Sequence, residues 1–120
     1  MRRTMAGEEH LKETINLPEK WLETNSVYYV YSSKTVSRKI SIFEKFLTFS
    51  GENFGDVEYE FHYSLNEEAA YAFLELLKNT YEGWEDLGKI LENEFGRDDC
   101  SIHFERICKN FGIKYQLCVI

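Results

Sequence analysis

Proline is nearly absent from this chain of 120 residues, with Pro18 its one instance. Combined with a hydrophobic fraction of 43%, that scarcity argues against a disordered tail even at a net charge of −7. Cysteine is scarce and odd in number. Cys100, Cys108 and Cys118 make no closed disulfide framework, and the chain is long enough to bury a core without one. No apolar run approaches the roughly 18 residues of a membrane span. Glu8, Glu9, Lys12 and Glu13 stand where a secretory leader would need an apolar stretch. These absences predict a cytoplasmic protein with three free thiols, no membrane partner, and a monomeric or weakly dimeric state. The phosphate loop, the dinucleotide fingerprint, the zinc-protease helix and the EF-hand loop are also missing, so no cofactor is expected.

Positive charge is the other shortage. From Glu52 to Glu105 fifteen acids are interrupted only by Lys78, Lys89 and Arg97, leaving −12, while Met1–Gly51 carries +2 and Arg106–Ile120 carries +3. A field of that kind attracts cationic partners and opposes phosphate, which speaks against nucleic-acid binding. Lys34, Arg38, Lys39 and Lys45 form the one basic cluster. Aromatic residues are abundant at 16%, and eight tyrosines supply recognition surfaces with apolar area and a polar tip.

The pattern predicts one domain over 1–120, with a frayed polar segment to about Glu13. Pro18 fits a helix start, and the helix runs to about Glu23. Val27–Tyr31 reads as a strand, Ser32–Ser37 as a polar turn, and Ile40–Phe49 as a second strand whose apolar parity switches along its length. Ser50–Gly55 has the makings of a hairpin loop. Val57, Tyr59, Phe61, Tyr63 and Leu65 then alternate with Glu58, Glu60, His62 and Ser64, a strand with one wet face. Asn66 caps a helix with the stripe Ala70, Phe73, Leu74, Leu77 and Tyr81, ended by Gly83, and Ser64 with Glu67 has capping-box spacing. Trp84, Leu87, Leu91 and Phe95 give a second helix closed by Gly96. Asp98 or Asp99 caps a third with the stripe Phe104, Ile107, Cys108 and Phe111, closed by Gly112. Ile113, Tyr115, Leu117 and Val119 return to strand alternation. The expected class is α+β: a largely antiparallel sheet with helices packed on one face, in the order α-β-β-β-α-α-α-β.

Candidate chemistry is thin. Cys100, His103 and Cys108 have partial zinc spacing but no fourth ligand nearby, and Cys108 belongs with an apolar stripe, so no metal is expected. Cys–His catalysis needs a base within reach of the thiol, and no local signature selects a pair. Glu58, Glu60 and His62 lie on one side of a strand with adjacent members about 7 Å apart. That row permits a small hydrolase or nuclease-type site, although a solvated or ligand-binding strand face is the commoner meaning. Glu85-Asp86 and Asp98-Asp99 stand at helix starts, where capping accounts for them.

An acidic α+β domain of this size, dense in tyrosine and without a catalytic motif, resembles bacterial immunity proteins. These are small cytoplasmic antitoxins, including those of contact-dependent growth inhibition systems. The Val57–Leu65 strand and the acidic helices of Asn66–Glu105 carry the likeness. It implies a non-catalytic protein that neutralises a cognate basic toxin, typically a nuclease, whose cationic cleft the carboxylates cover. Glu58, Glu60, Glu82, Glu85 and Asp86 are the expected contact acids, with Tyr81 and Trp84 as anchors. The alternatives are the His62 enzyme, an acidic nucleic-acid mimic, and a generic protein-interaction domain.

Overall fold

A computed structural model describes residues 17–31, 37–52, 60–97 and 99–119. Nine elements follow in chain order: α1 (Leu17–Glu23), β1 (Ser26–Tyr31), β2 (Ser37–Phe43), β3 (Phe46–Glu52), β4 (Glu60–Leu65), α2 (Glu67–Thr80), α3 (Leu87–Phe95), α4 (Cys100–Phe111) and β5 (Gln116–Val119). The class is α+β as the alternation predicts. The five strands form one antiparallel sheet in sequence order, so β1 to β4 are a meander and β5 returns after three helices to pair with β4.

The order holds one strand more than the pattern suggested. Ile40–Phe49 is not a single strand with a bulge but the two arms of a hairpin, turning at Glu44 and Lys45 with Phe43 opposite Phe46. Both turn residues have positive φ, 50° and 68°, the two-residue geometry that matches strand twist. Neither is glycine or asparagine, which is why the turn is hard to read locally. Asn25, in the link from α1 to β1, accepts a hydrogen bond from the Glu44 N–H at 3.1 Å and helps hold it. The reversal sets Ile42 opposite Leu47 and Ile40 opposite Phe49, all on one face.

Gly51 corrects a second expectation. Ser50, Gly51 and Glu52 are not loop but the last residues of β3. A Cβ on Gly51 would lie 2.7 Å from Phe61 Cζ and 3.0 Å from Arg38 Cδ. The glycine admits two large neighbours in the sheet rather than bending the chain. Residues 53–55, the rest of the expected loop, lie outside the described residues, as do Val57, Glu58 and Tyr59 of the expected third strand.

Covered-face residues Val30, Ile40, Ile42, Leu47, Phe49, Tyr63 and Leu65 are buried beneath the helices. Phe49 stacks on Phe104 with centroids 4.8 Å apart and meets Phe95 edge-on at 5.1 Å, while Phe73 meets Phe104 at 5.3 Å. Rings at those spacings add to the area they bury. Trp21 and Leu22 bury α1 against α2, and α3 packs on β1. Arg38 is the exception on this face: its Nε donates to Cys100 Sγ and its Nη2 to the Arg97 carbonyl at 3.3 Å.

The helix signals hold with five changes, the first being that α2 ends at Thr80 with Tyr81 as its C-cap rather than at Gly83. Asn66 Oδ1 accepts from the Ala69 N–H at 2.9 Å, whereas Ser64 stays in the β4 ladder and forms no capping box. Trp84 lies in the turn before α3 rather than in it, and Asp86 caps that helix through the Lys89 N–H. Asp99 occupies the cap position of α4, but its carboxylate binds Arg97 instead of a helix N–H. Gly112 ends α4 in the left-handed conformation at φ 66°. Phe111, expected on the inward stripe, is exposed at the last position of α4.

Candidate functional site

The sequence-derived contact residues separate into two groups. Tyr81, Glu82, Trp84, Glu85 and Asp86 share the turn between α2 and α3. Glu60 opens β4, where the register sets it opposite Glu52. Glu58 lies outside the described residues.

The turn is built from both helices. The Trp84 N–H donates to the Tyr81 carbonyl at 2.9 Å, and the two rings meet edge-on with centroids 5.1 Å apart. Gly83 between them has a φ of 92°, which a side chain would resist. Tyr81 is tied to α3: its hydroxyl donates to Glu94 Oε1 at 2.5 Å and accepts from Asn93 Nδ2 at 2.9 Å. Burial first, and then the bond to Glu94, push the Tyr81 hydroxyl above its ordinary pKa. The second Glu94 oxygen meets His103 Nε2, which extends the brace to α4. Three helices therefore hold a platform on which Trp84 remains 43% exposed, flanked by exposed Glu82, Glu85 and Asp86. A braced aromatic within a rim of acids can enter a partner's pocket while its neighbours meet cations.

Tyr81 is half-buried, its hydroxyl bonded to Glu94 and its ring against Trp84. Asp86 is partly occupied as a helix cap. Glu82, Trp84 and Glu85 are the members that face outward most fully.

The far face of the sheet supplies residues the sequence reading left unassigned. No helix among the described residues lies over it. Tyr29, Tyr31, Phe43 and Phe46 are each more than half exposed there, with Val27 beside them. Strand parity with register would have found them, but the parity was unreadable without the Glu44-Lys45 turn. His62 also stands on this face, its Nδ1 2.8 Å from Ser50 Oγ, and Cys118 is its cross-strand partner on β5. Cys100 and Cys108 are core residues, in keeping with the place of Cys108 on an apolar stripe, and all three cysteines are free. Burial raises both core thiols, Cys108 to about 12. Among the described residues no group of three His, Cys, Asp or Glu side chains could hold a metal ion, and no helix is long and apolar enough to cross a membrane.

No family model, curated protein or solved structure matches this chain.

Proposed function

We propose that the protein is a non-catalytic binding protein that neutralises a cognate basic toxin, a nuclease domain, by presenting carboxylates to its cationic cleft. The observation that carries this reading is the Tyr81–Asp86 platform, where an exposed Trp84 stands among Glu82, Glu85 and Asp86 on a turn braced through Glu94. Around it lies a stretch of chain carrying −12. The charge draws the partner in and sets its orientation, and the buried aromatic then slows its release. Nuclease clefts are positive because they hold phosphates, and an array of fixed carboxylates competes for the same groups. The exposed tyrosines and phenylalanines of the open sheet face widen the area available for contact.

The test looks for a basic toxin domain encoded immediately upstream and titrates it against the purified protein at low and moderate salt. Glu82→Lys and Glu85→Lys should each slow association and flatten its salt dependence. Trp84→Ala should instead speed dissociation, costing about 2 kcal/mol or more if the ring enters a pocket. The reading fails if no such toxin binds, or if Lys39→Glu weakens binding while the two turn substitutions leave it unchanged.

A further inference from the structure

The two edges of the sheet are treated differently. β1 has α3 alongside: a Cβ on Gly88 would come 3.3 Å from the Tyr28 ring, and one on Gly96 3.5 Å from the Tyr31 carbonyl oxygen. Among the described residues no helix lies alongside β5 in that way. All four of its residues, Gln116 to Val119, are exposed on both parities, with Leu117 at 45% and Val119 at 57%. Among the described residues no strand pairs with its outer side. It also lacks the usual protections of an edge, having no charge, no proline and no bulge to turn the ladder away.

The chain leading into it reverses the sign of the Glu52–Glu105 stretch. Arg106, Lys109 and Lys114 are exposed on α4 and the link into β5, and no acid occurs from Arg106 to Ile120. Glu105, the nearest acid along the chain, is half-buried and accepts from the Tyr63 hydroxyl. An exposed, uncharged strand preceded in the chain by three exposed bases, with Lys114 two residues from its start, suits an extended segment of opposite sign.

We infer that the outer edge of β5 accepts an extended acidic segment of a partner protein as a sixth strand. The main chain of that segment hydrogen-bonds to β5, its apolar residues lie over Leu117 and Val119, and its carboxylates meet Lys109, Lys114 and Arg106. A second copy of this chain is the poorer occupant. Pairing two copies edge to edge brings their basic Arg106–Lys114 segments together. The inference is independent of the toxin reading, which concerns the opposite charge and a different turn.

The probe is a synthetic peptide of alternating valine and glutamate, titrated against the full chain at low salt with amide hydrogen exchange followed residue by residue. The expected result is saturable binding that slows exchange within Gln116–Val119. A valine–lysine peptide should bind at least about tenfold more weakly, and a version N-methylated at consecutive residues, which blocks both of its edges, should not bind. Lys109→Glu with Lys114→Glu should weaken the acidic peptide by about tenfold while leaving the melting temperature unchanged, since both side chains are exposed. Equal binding of the two peptides, no binding of either, or protection along β1 instead of β5 would overturn the inference. So would β5 amides whose protection in the protein alone rises with its concentration, which would assign the edge to a second copy.

Discussion

The two faces of the sheet contain the same kinds of residue and use them in opposite ways. On the covered face Ile40, Ile42, Leu47 and Phe49 have essentially no exposure, and Phe49 stacks on Phe104 of α4. On the open face Phe43 and Phe46, next in the chain to Ile42 and Leu47, are 60% and 51% exposed. Burial is thus decided by strand parity and by which side the helices take, not by residue type. Where a sheet keeps aromatics on the side its own helices leave free, those rings are surface available to another molecule.

The sharpest way to break this comparison is to truncate one phenylalanine from each face. Phe49→Ala should cost about 3–5 kcal/mol in urea unfolding, because it removes ring contacts and leaves a cavity. Phe43→Ala should stay within about 0.5 kcal/mol. Equal losses would mean that the open face is covered in solution. Gly51→Ala comes next. Its methyl group would press on Phe61 and Arg38, costing about 1–3 kcal/mol by overpacking, and Phe61→Leu in the same chain should recover part of that loss. If the single substitution were neutral, the close approach of these side chains across β2, β3 and β4 would not exist in solution.

Alkaline pH sharpens the contrast further. Burial holds the Cys108 thiol up to about 12 against an ordinary 9.0, and burial together with the Glu105 bond raises Tyr63 above its ordinary 10.0. Both groups keep their protons longer folded than unfolded. Their contribution is complete below about pH 9 and is lost as pH rises through their folded values. The urea midpoint should therefore fall between about pH 8 and about pH 10.5. A flat profile would show that these groups are not buried. The smallest effect concerns the three thiols in the folded protein: Cys118 should alkylate readily with little loss of stability, whereas Cys100 and Cys108 should react only after unfolding. Rapid labelling of all three would place α4 away from the sheet.

Much of the architecture could be read locally because its causes are local. Asn66 before two glutamates and a helical stripe marks the start of α2, and a left-handed Gly112 marks the end of α4. The alternation of Phe61, Tyr63 and Leu65 predicts their burial correctly. The hairpin at Glu44-Lys45 was not legible, because its positive φ angles are stabilised in part by Asn25, nineteen residues earlier. Gly51 misled for a similar reason, since the neighbours that require it come from β2 and β4. In the candidate site the clustering of Glu82, Trp84, Glu85 and Asp86 followed from adjacency in the chain. That Tyr81 would be drawn inward to Glu94 did not.

By itself the sequence determined the α+β class, the placement of most helix caps, and a division of charge that leaves −12 between Glu52 and Glu105 and +3 after it. Each rests on residues within a few positions of one another, or on composition alone. Only the tertiary structure decided which aromatics are core and which are surface, that Trp84 rather than Tyr81 faces outward, and that β5 ends the sheet with all four of its residues exposed. Those outcomes depend on hydrogen-bond register and helix placement between segments far apart in the chain. Burial is a property of the neighbours that fold over a side chain, and no local pattern specifies them.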